Sequence, residues 1–188
     1  MPRPRSEDKR SAIVAAAVHL VATEGLGVAT AAIAKEAGVS NGLLFTYFAT
    51  KAELFNQLYI ELKRGMAAAA TAGLSEKAPL REQCARLWSN WTHWAAKSPE
   101  QRRALAVLGL FPELTAEIRA AGHQVMLPLA VLLERARAKG PLRDAPMSYA
   151  MALMNALAET TMDFMLQDPK HADAHSKLGF EALWRMLK

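Results

Sequence analysis

The 188-residue sequence has little of what secreted, zinc-binding or membrane-spanning proteins need. It contains one cysteine, Cys84, so neither an intramolecular disulfide nor a cysteine cluster for zinc can form. No apolar run approaches the roughly 20 residues that cross a bilayer as a helix. Strand signals are also scarce, because β-branched runs are few and Asn41-Gly42 lies inside a helical pattern. These absences favour an all-α chain in a reducing cytoplasm, with no cofactor, no metal and no membrane.

The N-terminus offers one alternative location. Basic residues precede the apolar stretch 12–22, which is the order found in a secretory signal. However, Glu7 and Asp8 interrupt the basic part and His19 interrupts the apolar part. We therefore expect an ordinary first helix here and no signal peptide.

Caps and prolines divide the chain into about nine helical segments. The residues that mark their ends are Gly25, Thr30, Gly38, Ser40, Thr50, Pro79, Pro99, Pro112, Pro146 and His171. Pro128 lies inside the segment that follows Pro112, so we expect a kink or break between Gly122 and Pro128. The division we predict is a three-helix head, residues 1–50, and a larger helical body, residues 51–188.

The most informative stretch runs from Thr30 to Leu54. Two short helices meet at Ala37-Gly38-Val39, where glycine permits the left-handed backbone of a tight turn. The second helix then presents a short, nearly uncharged set of side chains. Asn41 can pair with an adenine edge and Leu43 can touch a thymine methyl, so this set suits a major groove.

Neighbouring hydroxyls, Lys51 and the N–H groups that begin the next helix can hold phosphates. The complete set that we predict to contact DNA is Thr30, Ser40, Asn41, Gly42, Leu43, Phe45, Thr46, Tyr47 and Lys51. The alternative is a helical hairpin that only packs, with Phe45 and Tyr47 in its core.

This stretch resembles the DNA-binding head of the tetracycline-repressor (TetR) family. The matching positions are Thr30, Ile33-Ala34, Ala37-Gly38-Val39-Ser40, Gly42, Phe45, Tyr47-Phe48, Lys51 and Leu54, with Ile13, Ala17 and Gly25 upstream. The resemblance implies a helix-turn-helix domain followed by a helical ligand-binding and dimerisation domain. Two positions depart from the pattern: Phe45 replaces a common tyrosine whose hydroxyl contacts a phosphate, and Ala32 replaces a common acidic residue.

The charge of the head is low for a DNA-binding domain. The whole chain has a formal net charge of +5, but positive side chains outnumber negative ones by only one up to Leu54. Affinity must then depend on where the charges lie and on the use of two heads. We predict that an arm carrying Arg3 and Arg5 adds backbone or minor-groove contacts.

The segment after Pro146 is apolar on two sides, so one face can pack inside while the other meets a partner. The first face holds Met147, Met151, Met154, Ala158, Met162 and Met165, and the second holds Leu153, Leu157 and Phe164. The resemblance implies that this helix and the last one, with Leu178, Leu183, Trp184 and Leu187, form a four-helix bundle with a second copy. Two internal faces in a monomer are the alternative.

A ligand cavity is predicted from large apolar side chains of the body. Trp88 and Trp91 point inward and, with Phe111, Met126 and Met154, could surround an apolar or aromatic ligand. Plain core packing is the alternative for each of them. Asn90 and His93 share the polar side of the same helix and are expected to face solvent. His171 and His175 stand four apart but lack a third ligand, so no metal site is predicted.

Together these features predict a transcriptional repressor that binds a palindromic operator as a homodimer and is released by an unidentified small molecule. An activator, or a ligand-independent DNA-binding protein, of the same fold remains open, because the sign of regulation depends on where the operator lies. A small helical enzyme is the other alternative. We predict no enzyme, since there is no glycine-rich phosphate loop, nucleophile elbow or His-Glu zinc motif.

Overall fold

The computed structural model describes residues 5–188, with side chains from Glu7 onward. Within this range the chain forms nine α-helices and no strand, which confirms the all-α prediction. The helices are α1 Arg5–Glu24, α2 Thr30–Glu36, α3 Asn41–Tyr47, α4 Lys51–Thr71, α5 Leu80–Lys97, α6 Pro99–Leu108, α7 Ala116–Arg137, α8 Met147–Gln167 and α9 Ala172–Leu187, with a short 3₁₀ turn at Pro169–His171. The predicted arm lies outside the described residues, since Arg3 and the side chain of Arg5 are not among them.

Side-chain caps begin two of the helices that matter for the head. The Leu43 N–H donates to Ser40 Oγ at 3.1 Å, which starts α3. The Glu53 N–H donates to Thr50 Oγ1 at 3.0 Å, and the Glu53 carboxylate accepts the Ala49 N–H at 2.8 Å. This arrangement satisfies two of the free donors at the start of α4. Thr30 does not cap α2, because Ala29 is the capping residue and Thr30 is the first residue of the helix.

The break predicted between Gly122 and Pro128 in α7 does not occur. The helix starts at Ala116, four residues after Pro112, and it continues through Pro128 without a break. Proline removes one helical N–H and so frees the carbonyl of residue 124. Gln124 and Pro128 both lie on the exposed side of the helix, where water can satisfy that carbonyl, so the helix tolerates the residue.

The chain divides into two compact units. The first comprises the described residues up to Arg64 together with Pro99–Gly122, so it holds α1 to α3, most of α4, α6 and the start of α7. Its core is formed by side chains with no solvent exposure: Ile13, Ala17, Val21, Ile33, Leu44, Phe48, Leu54 and Phe55. The predicted head therefore shares its unit with α6.

Two polar contacts fix α6 and the segment after it within this unit. His19 Nδ1 on α1 lies 3.0 Å from Glu100 Oε1 on α6. The buried amide of Asn56 donates to the Glu113 carbonyl at 3.0 Å and accepts the Thr115 N–H at 2.9 Å. Because both ends of the amide are used, α4 and the segment before α7 are held in one register.

The second unit comprises Gly65–Ser98 and His123–Lys188, and its centre is the crossing of α5, α8 and α9. Trp88 is 1% exposed, and its indole N–H donates to the Ser176 carbonyl at 2.9 Å. Gly179 allows α9 to approach closely, because a Cβ atom there would lie 2.9 Å from Trp88 Cζ2. At Gly179, the backbone of α9 therefore packs directly against Trp88 of α5 and Thr161 of α8.

Candidate nucleic-acid interface

The turn between α2 and α3 has the geometry of a helix-turn-helix. Gly38 has φ +67°, the left-handed conformation that glycine adopts without strain. The Val39 N–H donates to the Ala34 carbonyl at 2.9 Å, and the Gly38 N–H donates to the Lys35 carbonyl at 3.1 Å. These bonds close the end of α2 and direct α3 across it.

Only one side of α3 packs into the interior of the protein. Leu44 is fully buried, whereas Asn41, Gly42, Phe45 and Thr46 are exposed. Phe45 is 41% exposed, so the alternative that places this ring in the core does not describe the structure. Leu43 and Tyr47 are half-buried at the edges of the exposed side.

Gly42 leaves a bare stretch of backbone on this surface. It is helical, and a Cβ atom at this position would meet nothing within 4 Å. No tight turn or close internal approach therefore requires glycine here. A glycine on an exposed helix costs stability, so its presence fits a surface that another molecule approaches closely.

Among the groups predicted to hold phosphates, Lys51 is already engaged. Its ammonium donates to the Leu26 carbonyl at 2.8 Å and lies 5.2 Å from the centre of the Phe55 ring. An ammonium has three N–H donors, so two further donors are available to a phosphate. Thr30 is half-buried in the first turn of α2, and the Thr46 hydroxyl donates to the Gly42 carbonyl at 3.2 Å.

Arg10 is a basic side chain of the head that acts inside the fold. It donates to Gln57 Oε1 at 3.2 Å, forms an ion pair with Glu61, and covers the Phe48 ring at 5.5 Å. These contacts join α1 to α4. The charge of Arg10 is therefore committed to internal contacts.

The side chains predicted to line an apolar cavity occupy different surroundings. Trp88 and Trp91 meet edge to face with ring centres 6.3 Å apart, and Met154 is buried. Met126 packs on a separate cluster of leucines, and Phe111 belongs to the first unit, where it meets Phe55 at 5.2 Å. A cleft of about 790 Å³ in the second unit is lined by Trp88 and by none of the other four.

Asn90 and His93 differ from the expectation that they face solvent. The Asn90 amide donates to the carbonyls of Ala70 and Ala72 at 3.2 and 2.8 Å, and His93 Nε2 lies 2.8 Å from Asp173 Oδ1. Both side chains are half-buried. The polar side of α5 faces the end of α4 and the start of α9, a long-range arrangement that helical periodicity does not reveal.

An apolar surface runs along α8 and α9. The first predicted face of α8 is largely buried, including Met154, Ala158, Met162 and Met165. Of the second face, Phe164 is exposed, and Leu178 on α9 is 70% exposed. A groove of about 370 Å³ between the two helices is lined by Leu157, Thr160, Thr161, Phe164, His175, Leu178, Gly179 and Ala182. We call this surface the α8–α9 face.

The described residues contain neither a cluster of potential metal ligands nor a helix that could span a membrane. His171 Nδ1 and His175 Nε2 both contact Asp168 Oδ2, at 2.9 and 3.0 Å. No group of three or more potential metal ligands occurs between residues 5 and 188. In the same range, no helix combines the length and apolar character needed to cross a bilayer.

The chain is similar to bacterial transcription regulators in sequence and in fold. The family model for "Bacterial regulatory proteins, tetR family" matches residues 13–58. A putative tetR family transcription regulator from Shewanella sp. PV-4 is 26% identical with a TM-score of 0.81, over 94% of this chain and 96% of that one. A TetR family transcription regulator from Marinobacter aquaeolei VT8 is 24% identical with a TM-score of 0.80, over 97% of each chain.

A third similar structure contains a ligand. It is the transcriptional regulator FadR from Bacillus subtilis in complex with stearoyl-CoA, 19% identical with a TM-score of 0.68, over 93% of this chain and 97% of that one. At this identity the likeness concerns the fold alone. The match nonetheless extends over both units.

Proposed function

We propose that the chain is a TetR-family transcription regulator, as the family match over residues 13–58 and the similar structures indicate, and that it represses transcription by binding a palindromic operator as a homodimer. A small molecule that binds the body releases it. The observation that carries the proposal is the exposed side of α3, with Asn41, Gly42, Phe45 and Thr46, which follows a glycine turn. We expect the protein to act in the cytoplasm, where a bacterial chromosome lies.

In this proposal α3 enters the major groove. Asn41 reads a base edge, Leu43 contacts a thymine methyl, and the bare backbone at Gly42 permits the close approach. The hydroxyls of Thr46 and Tyr47 and the ammonium of Lys51 hold phosphates. Thr30 and Ser40 complete the set at the starts of α2 and α3, where helix N-termini favour anions.

We propose the α8–α9 face as the dimer interface. Phe164 and Leu178 are large apolar side chains exposed on adjacent helices, and a second copy of the same face would bury them. A two-fold interface pairs one patch with itself, so the two α3 helices become related by the same axis. Two such helices reach successive major grooves when their centres are about 34–36 Å apart.

The effector acts by preferring a form of the dimer that does not fit the operator. Helix α4 contains residues of both units, so it is a covalent route from the body to the head. A ligand can weaken DNA binding only as far as its affinity for the free form exceeds its affinity for the bound form. The stearoyl-CoA complex of FadR supports a small-molecule effector for a protein of this fold.

Selection from a pool of randomised DNA duplexes tests the DNA-binding proposal. The purified protein should enrich a palindrome, and Asn41→Ala should lose or relax the preference at one position of each half-site. Gln167→Ala, which removes an exposed amide at the end of α8, is the matched control and should select the same palindrome. Failure of the parent protein to enrich any motif would contradict the proposal.

Sedimentation tests the dimer. Leu178→Glu places a charge on the α8–α9 face and should give a monomer at micromolar concentration. Leu110→Glu is the control, because Leu110 is 79% exposed but lies in the first unit. A monomeric parent protein, or equal dissociation by both substitutions, would contradict the assignment of the interface.

A further inference from the structure

We propose that the cleft between α5 and α9 is a binding site for a small organic anion. The cleft has a volume of about 790 Å³ and lies entirely within the second unit. Ligand pockets in proteins commonly measure about 300–1,000 Å³. The site differs from the apolar cavity predicted from sequence, and the proposal does not depend on DNA binding.

Three exposed cations line this cleft without a partner among the described residues. Arg86 and Lys97 on α5 and Lys177 on α9 line it, and none of them has an ion pair or hydrogen bond with any described residue. Elsewhere in the same unit, Arg81 pairs with Glu181 and Arg137 pairs with Glu134. Unpaired cations around one concave surface favour an anionic occupant.

The carboxylates of the cleft do not cancel these charges. Asp173 is already engaged, since its Oδ1 lies 2.8 Å from His93 Nε2. Glu82 is the other acidic side chain in the lining. The three cations therefore exceed the two carboxylates, and the carboxylate that lies on α9 is bound to a neighbour.

The floor of the cleft is apolar and buried. Trp88 and Phe180 line it with 1% and 6% of their surfaces exposed, and the polar atom of Trp88 is used by the Ser176 carbonyl. Leu74, Ala78 and Ala85 in the same lining are half-buried, so van der Waals contact with an occupant comes from these aliphatic side chains. An occupant that fits both the rim and the floor is an anion with a flat aromatic or short aliphatic body.

The walls of the cleft are held in place by the protein itself. The buried amide of Gln83 donates to the carbonyls of Glu76 and Ala78 at 3.2 and 2.7 Å. The Asn90 amide holds the carbonyls of Ala70 and Ala72 in the same way. A ligand would thus enter a shape that already exists, which reduces the entropy lost on binding.

Two fluorescent probes that differ by one charge test the proposal. 8-Anilinonaphthalene-1-sulfonate is an aromatic anion, and N-phenyl-1-naphthylamine is its neutral counterpart. The triple variant Arg86→Gln, Lys97→Gln and Lys177→Gln should raise the Kd of the anionic probe about tenfold or more, because charged hydrogen bonds are lost. Its Kd for the neutral probe should stay within about twofold of the parent value, since the floor is unchanged.

The control variant removes the same charge from exposed positions of the second unit that do not line the cleft: Lys139→Gln, Lys170→Gln and Arg185→Gln. It should bind both probes as the parent protein does. Equal affinity of the parent and the cleft variant for the anionic probe would overturn the proposal. An equal loss of anionic binding in both triple variants would also overturn it, because net charge alone would then explain the effect.

Discussion

The close crossing at Gly179 gives a quantitative test of the packing of the second unit. In Gly179→Ala, the new Cβ would lie 2.9 Å from Trp88 Cζ2, 3.0 Å from Thr161 Cγ2 and closer still to the Thr161 hydroxyl. Trp88 is a buried ring held by a hydrogen bond, so it cannot move aside without breaking that bond. The helices must separate instead.

The magnitude follows from two opposing terms. Overpacking a core by one methyl group costs about 1–3 kcal/mol. Replacing glycine by alanine inside a helix returns roughly 0.5–1 kcal/mol. Gly179→Ala should therefore lower the free energy of unfolding by about 0–2.5 kcal/mol. Gly65→Ala in α4, where a Cβ would meet nothing within 4 Å, should raise it by roughly 0.5–1 kcal/mol.

Urea unfolding at a fixed protomer concentration measures both changes, because the stability of a dimer depends on concentration. Thr161→Ala removes two of the three close atoms, and its hydroxyl bonds only the Leu157 carbonyl of its own helix, at 2.8 Å. The double variant should therefore recover about 1 kcal/mol relative to additive behaviour. Equal stabilisation by Gly179→Ala and Gly65→Ala would refute the close crossing.

Three further predictions concern the first unit. Asn56→Ala should destabilise the chain by about 1–3 kcal/mol in urea unfolding, because two part-buried hydrogen bonds, to the Glu113 carbonyl and from the Thr115 N–H, are lost; a change near zero would contradict the role of the amide. The hydrogen bond to Glu100 raises the pKa of His19, so protonated His19 stabilises the fold below its unfolded pKa and this contribution is lost as the pH rises through the folded pKa. His19→Gln should therefore lower the Tm at about pH 5.5 and leave it unchanged at about pH 8.5, whereas an equal deficit at both would indicate lost packing. Phe45→Tyr restores a phosphate-binding hydroxyl and should tighten operator binding by about 0.5–1.5 kcal/mol in a titration, whereas Phe45→Leu should not tighten it.

Features that depend on neighbouring residues could be predicted from the sequence. The left-handed turn at Gly38, the Ser40 cap and the buried position of Leu44 each follow from backbone chemistry within a few residues. The two faces of α8 follow from its periodicity, and the structure buries one and leaves Phe164 of the other exposed. Local preference and tertiary packing agree in these elements.

Features that depend on which elements meet could not be predicted in this way. Phe111 was grouped with the tryptophans because all are large and apolar, but it packs on Phe55 in the other unit. Asn90 lies on a polar helix side, and only the folded chain shows that the carbonyls of Ala70 and Ala72 cover it. Helical periodicity identifies a side of a helix but not its neighbour.

We expect the two heads of one dimer to read two half-sites on the same face of the DNA. The most direct measurement compares the affinity for the selected palindrome with the affinity for the same palindrome after roughly five base pairs are inserted at its centre, which is half a helical turn. The insertion should reduce the affinity to that of a single half-site, because the second half-site then faces away. Unchanged affinity would contradict a dimer with two fixed recognition helices.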